Sequence, residues 1–288
     1  MTTETLLAGT VFAIDKPRQW SSFQVVNKMK GVIRNRYDIK KFKIGHAGTL
    51  DPLATGLLLV CVGKATKQIE QLQAGTKVYS GTMVLGASTP CYDLEQAIDK
   101  YYPYEHITKE IVEQVAQQFV GEIEQMPPLF SAVKVDGERA YKVARRVGNE
   151  ADKENEMPKA KTVHIEKFEI TQFRAGKTQK EKETFSIAEK DNTHLTEAED
   201  TQKQTEPLTH FYLNPQGEIP EHLPQIDFRI TCGKGTYIRS IARDMGKALG
   251  SGAFLSSLRR ERIGNYSVEN ALTMELIEEG KLDEGQKY

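Results

Sequence analysis

Three side chains stand out by type and position: a carboxylate in a shaped loop, a phenol on a strand and a guanidinium at a helix start. Asp51 lies in Gly45-His46-Ala47-Gly48-Thr49-Leu50-Asp51-Pro52-Leu53-Ala54-Thr55-Gly56. Three glycines and a proline prescribe a non-repetitive backbone path there, because glycine reaches φ values closed to other residues and proline locks its own. Such a path holds a reactive group in a fixed place. A carboxylate on it serves as a nucleophile or caps the N–H groups of a turn. Tyr79 shares one face of an alternating stretch with Met83 and Leu85, which predicts a largely buried ring whose hydroxyl is hydrogen-bonded. Arg239 enters the first turn of a helix, where the helix dipole disfavours a cation and a carboxylate partner would offset the cost.

The elements that must hold these groups follow from periodicity. Residues 10–16 read as a strand ended by Pro17, which leaves Lys16 at the strand end. Ser21 with Gln24 predicts a capping box, and Val25, Val26, Met29, Val32 and Ile33 share one helical face. The apolar run 57–62 pins the loop to a buried element, residues 65–73 form a short helix, and residues 77–86 form the strand carrying Tyr79. Residues 88–106 read as a loop, with Asp93 available to cap or to pair. Thr108 caps a helix closed by Gly121. Pro127 and Pro128 enforce extended chain, followed by a bend at Asp136-Gly137 and a helix over about 139–146. Residues 163–173 and 226–232 are strands. The latter ends at Gly233-Lys234-Gly235-Thr236, and a helix runs from there to the stop at Gly250. A basic cluster at Arg259, Arg260 and Arg262 and a helix capped by Thr273 complete the chain.

The net charge of -1 conceals local fields, since residues 28–43 and 225–267 are basic while the segment around 181–221 and the last twenty residues are acidic. A basic face suits phosphate contacts. Cys61, Cys91 and Cys232 show no metal-binding spacing and imply a reducing compartment. Neither a signal peptide nor an apolar run of membrane length is present, so the expectation is a cytoplasmic protein with no membrane partner. Walker, dinucleotide, G-x-S-x-G and H-E-x-x-H motifs are absent, and Gly233-Lys234-Gly235-Thr236 lacks the full spacing of a phosphate loop. Residues 174–224 are too polar to build a core and read as a surface insertion.

Four blocks in order, K-P at 16–17, G-H-A-G-T-L-D-P-L-A-T-G-L-L at 45–58, Q-M-P-P-L-F-S-A-V-K-V-D-G-E-R-A-Y at 125–141 and C-G-K-G-T-Y-I-R-S-I-A-R-D-M-G at 232–246, resemble the TruB family of tRNA pseudouridine synthases. The resemblance implies the pseudouridine synthase fold, an α/β (α+β) architecture with a mixed, mostly antiparallel central sheet flanked by helices and loops and an active-site cleft in the middle. It implies one catalytic domain over 1–288, interrupted by the insertion and without a C-terminal PUA module. By the same resemblance, Asp51 is the nucleophile that isomerises uridine 55 of the tRNA TΨC stem-loop without cofactor or metal, in a monomer. Arg239 pairs with Asp51, and Tyr79 stacks on the flipped base. Tyr237 and Leu258 line the uracil pocket, His46 faces the emptied stack, and Lys16 supports the entrance or touches RNA. The pattern departs from the family at Thr89-Pro90-Cys91-Tyr92-Asp93, where many members carry Thr-Asp-Thr. Alternatives are a synthase for another structured RNA, or a factor that mainly binds and folds tRNA.

Overall fold

The computed structural model describes residues 1–128, 159–176 and 219–283, together with the backbone of 134–135 and 138–139. In chain order the elements are α1 (Thr3–Gly9), β1 (Thr10–Lys16), α2 (Ser22–Tyr37), β2 (Ile44–Ala47), β3 (Thr55–Val62), a 3-10 helix (Gly63–Gln68), α3 (Ile69–Ala74), β4 (Lys77–Leu85), β5 (Ala87–Ser88), β6 (Lys100–Tyr101), α4 (Lys109–Gln117) and β7 (Gly121–Gln125). There follow β8 (Lys134–Val135), β9 (Glu138–Arg139), β10 (Lys161–Arg174), β11 (Gln225–Cys232), α5 (Ile238–Ala248), β12 (Ala253–Ile263), β13 (Tyr266–Ser267), a 3-10 turn (Val268–Asn270) and α6 (Met274–Glu278).

One sheet runs in the order β1-β3-β12-β4-β11-β10-β7, with β2 added on β3 and β13 on β12. Its pairings are antiparallel except β12 with β3. That exception shapes the site. β1 covers one edge of β3, while β2 pairs with residues 59–62 on the other and β12 pairs with Thr55 and Gly56. The connection between β2 and β3, residues 48–54, is therefore a hairpin loop whose mouth is entered by β12. Gly56 permits this approach: its φ is 99°, and a Cβ there would lie 2.3 Å from the Arg260 carbonyl oxygen. Gly48 also adopts the left-handed region.

Apolar side chains pack on both faces of the sheet. Val25, Val26, Met29 and Ile33 of α2 meet Phe12, Ile14, Leu58 and Val60, together with Met274 and Ile277 of α6. Ile238, Ile241 and Met245 of α5 and Val112 and Val115 of α4 join Met83, Phe228 and Phe254 in the largest cluster. The predicted capping box of Ser21 and Gln24 is formed, and Thr108 and Thr273 cap their helices.

Several sequence expectations need correction. The stretch 88–106 is not simply a loop, since β5 pairs with β6 and Asp93 is buried. The insertion is narrower than 174–224: Arg174 ends β10, Leu223 is buried, and the Pro224 carbonyl accepts the Leu85 amide. Its interior, 177–218, and the helix expected at 139–146 lie outside the described residues. Strand β12 replaces the expected basic cluster. Arg260 is 2% exposed, and Arg259 makes a bidentate ion pair with Asp15 at 2.7 and 3.0 Å, leaving Arg262 as the exposed member. No described helix is long and apolar enough to cross a membrane.

Candidate active site

The loop 48–54 is fastened from three sides. From α2, the buried Ser22 hydroxyl accepts the Leu50 amide at 2.9 Å and donates to the Leu50 carbonyl at 3.1 Å. From the turn after β1, the Gln19 amide donates to the Pro52 carbonyl. Lys16 is fully buried, and its ammonium donates to the carbonyls of Pro17, Trp20 and Pro52 at 2.9, 2.6 and 3.2 Å. Burial pushes the Lys16 pKa down to about 8, opposed by the attraction of Asp51. Lys16 therefore sits beneath the loop as a support, and the RNA-contact half of its expected role is not what its position provides.

The third fastening is Arg260. It projects from β12 into the hairpin mouth and donates to the carbonyls of Leu57 (2.8 Å), Gly48 (3.0 Å) and Thr49 (3.4 Å). Its register partner on β4 is Tyr79, whose hydroxyl lies within reach of its charge. Burial raises the Tyr79 pKa, and the Arg260 charge acts against that rise. One buried guanidinium thus fastens the loop backbone beside the strand position that carries the phenol.

Arg239 comes from the opposite wall, in the first turn of α5. Its Nε lies 2.9 Å from Asp51 Oδ2 and 3.6 Å from Asp93 Oδ2, and Nη1 donates to the Cys91 carbonyl at 3.2 Å. Only 5% of the arginine side chain is exposed, against 40% for Asp51. The pair is asymmetric: a buried cation holds a carboxylate whose face is open. Burial pushes the Asp93 carboxyl up and the Arg239 charge pulls it down, with the net shift upward. Burial by itself would lower the Arg239 pKa, but Asp51 and Asp93 outweigh it and the guanidinium stays charged. The departure at 89–93 leaves Asp93 in place as the second partner of Arg239.

The start of α5 is held by β7. Buried Gln125 accepts the Tyr237 amide at 2.7 Å through Oε1 and donates to the Tyr237 carbonyl at 3.2 Å through Nε2. The Ser240 hydroxyl and Arg243 both donate to the Met126 carbonyl. These bonds fix Tyr237, which precedes the helix, and Arg239, which lies in its first turn.

A cleft of ≈ 330 Å³ opens between loop, strands and helix, with Asp51, Tyr79, Tyr237, Arg239 and Leu258 all on its walls. Five of the seven site residues expected from the sequence are thus brought together. His46 and Lys16 are not on these walls. His46 lies on β2 opposite Val60, half-buried, and burial and Arg260 lower its pKa. Sequence reasoning missed Arg260, Gln125 and Ser22 as site-building residues. Gln125 had a usable signal in its position just before Met126-Pro127-Pro128, where the chain must leave the sheet extended. No cluster among the described residues is suited to hold a metal ion.

A carboxylate with one open face, a guanidinium 2.9 Å from it, and a phenol on the wall of the same cleft form a set in which the carboxylate can attack an electrophilic carbon while a flat ring lies in the cleft. Comparison with known proteins agrees with this chemistry. Residues 34–195 match the TruB family pseudouridylate synthase N-terminal domain, and residues 239–287 match the tRNA pseudouridylate synthase B C-terminal domain. The chain is 45% identical over 280 residues to the tRNA pseudouridine synthase B of Flavobacterium johnsoniae, covering 97% of this chain and 99% of that protein. It is 43% identical over 271 residues to that of Phocaeicola vulgatus, covering 94% and 92%. A crystal structure of a Cbf5-Nop10-Gar1 complex shares the fold at a TM-score of 0.56 and 24% identity; the match covers 96% of this chain and 56% of that one. With two family models matched in chain order and relatives above 40% identity over nearly the whole chain, this protein belongs to the TruB family of pseudouridylate synthases.

Proposed function

We propose that this protein isomerises uridine to pseudouridine at position 55 in the TΨC stem-loop of tRNA, with Asp51 as nucleophile, acting as a monomer in the cytoplasm. The observation that carries the reading is the Arg239–Asp51 pair at 2.9 Å on the wall of a cleft that Tyr79, Tyr237 and Leu258 also line. Relatives at more than 40% identity over nearly the whole chain are tRNA pseudouridine synthases B, which supports tRNA as the substrate.

The geometry divides the work. Asp51 acts while the C1′–N1 bond breaks and is free again once carbon 5 has bonded to C1′ and lost its proton, which needs a carboxylate at a fixed point; Arg239 holds it there and the fastened loop prevents drift. Tyr79 offers a ring face and Leu258 an aliphatic side chain to a base taken out of its stack, an extrusion that costs a few kcal/mol. Because apolar contact is indifferent to which edge a ring presents, the uracil can turn between C–N cleavage and C–C bond formation.

The test is incubation with tRNA transcript carrying 5-tritiated uridine, since joining carbon 5 to the ribose releases that tritium. Stoichiometric release, with the product mapped by base-resolved sequencing to position 55, is expected. Folded protein that releases none contradicts the reading. Release mapped to a different RNA or position would retain the chemistry and replace the substrate.

A further inference from the structure

The two ends of the cleft are charged differently. At one end the Arg239 cation meets two carboxylates, Asp51 and Asp93. At the other, Lys77 and Lys234 lie beside Gln73, Gly235 and Thr236, and Asp51, of the first end, is the one carboxylate among the cleft's lining residues. Lys77 opens β4 opposite Cys232, the last residue of β11, and Lys234 follows two residues later. Two ammonium groups therefore stand on adjoining strand ends. Lys77 is 7% exposed, and its Nζ donates to the Gln73 carbonyl. Among the described residues, neither lysine has an ion-pair partner.

The cations also press on each other. Burial first, then the Arg260 and Lys234 charges, bring the Lys77 pKa down to about 8, against a smaller opposing pull from Cys232. A buried ammonium between two cations is unfavourable until an anion joins it. The turn of residues 233–236, whose lysine and glycines resembled an incomplete phosphate loop, lies here. Gly235 has a φ of 87° with open space beside it, and the amides of Lys234 and Gly235 meet no acceptor among the described residues. Immediately beyond it α5 begins, whose N-cap residue Tyr237 supplies no side-chain cap. Backbone amides and a helix start both favour an anion.

We infer that this end of the cleft is a phosphate subsite: Lys77, Lys234 and the amides of the 233–236 turn hold the phosphodiester beside the reacting nucleotide, while its base lies toward Asp51. The inference rests on the RNA substrate proposed above and adds how the extruded nucleotide is gripped. A clamp on the phosphate suits this reaction. It touches neither the bond that breaks nor the ring that turns, so it can hold the nucleotide through both steps.

The experiment compares wild type, Lys234→Ala and Lys77→Met for binding and tritium release with a tRNA transcript across a salt series. Lys234 is exposed, so its variant carries little risk to folding. Kd is expected to rise about threefold for K234A and about tenfold for K77M, and each log Kd against log salt slope should fall by roughly 0.7–0.9, the value of one phosphate contact. Transcripts with a single methylphosphonate at successive linkages near the target then locate the contact. One linkage should weaken wild type by the factor seen for K234A and weaken K234A no further. A wild type that isomerises the transcript, with both variants matching its Kd and slope, overturns the subsite alone. A wild type that neither binds nor isomerises it overturns the RNA reading as well.

Discussion

Arg239 and Arg260 are buried guanidiniums on facing walls of one cleft, and they are used in opposite ways. Arg239 meets carboxylates, Asp51 at 2.9 Å and Asp93 at 3.6 Å. Arg260 meets the backbone carbonyls of Gly48, Thr49 and Leu57. The first holds the carboxylate proposed as nucleophile, whereas the second fixes the shape of the loop that carries it. An Arg paired with carboxylates leaves an uncompensated buried charge when removed; an Arg paired with carbonyls leaves unsatisfied acceptors. The two sites should therefore fail differently when cut.

The largest effect is expected at the charged pair. Arg239→Met should lower the tritium-release rate on the order of 10³-fold, as loss of a group that holds transition-state charge does, and destabilise the fold by about 3 kcal/mol through the stranded Asp93. Adding Asp93→Asn should recover most of the stability in denaturant melts and none of the activity. Recovery of both would mean that Arg239 acts only on the fold. Arg260→Met comes next, with about 10²-fold lower release and roughly 3 kcal/mol lost to orphaned carbonyls. Here Asp93→Asn should restore nothing, and rescue by it would erase the distinction between the two arginines.

A smaller effect tests the frame that holds Arg239. Gln125→Met removes both bonds to the Tyr237 backbone, and kcat should fall about tenfold with KM little changed, because a small misplacement of a positioned group costs rate before binding. A rise in KM at constant kcat would instead place Gln125 in substrate binding. The smallest is a pH effect at the cationic end. Lys77 in the free protein titrates at about 8, with Arg260 of β12, Cys232 of β11 and the neighbouring Lys234 facing it. A bound phosphate favours the protonated form, so affinity is complete below pH 8 and declines as pH rises through that value. Wild-type Kd should rise several-fold between pH 7 and pH 9, and the part due to Lys77 should vanish in K77M. An identical pH profile in the two proteins would contradict that assignment.

The legibility of the chain followed its local regularity. The loop 48–54 was readable because its geometry is prescribed locally, by Gly48 and Gly56 in the left-handed region and by Pro52. Helices α2, α4 and α5 announced themselves by caps, stops and 3.6-residue spacing. Strand β12 did not. Its pairing with β4 shifts register between Leu255 and Ser257 and again between Arg260 and Arg262, and each bulge breaks the two-residue alternation by which a strand is recognised. Its three arginines then looked like one basic face, although the strand sends Arg260 inward, Arg259 to Asp15 and Arg262 to solvent. The residues alone show that Arg239 needs a carboxylate, and the family resemblance names Asp51; Asp93 as its second partner depends on contacts between residues far apart in sequence.

The most direct test of Asp51 as the reacting group is single-turnover tritium release by Asp51→Asn with tRNA transcript in excess of Kd. Asparagine keeps the size of the side chain while removing its charge and nucleophilicity, and the open position of Asp51 spares the fold. The expected result is a transcript Kd within about threefold of wild type and a release rate lower by on the order of 10⁴-fold or more. Release at a rate near that of wild type would show that the carboxylate does not carry the reaction.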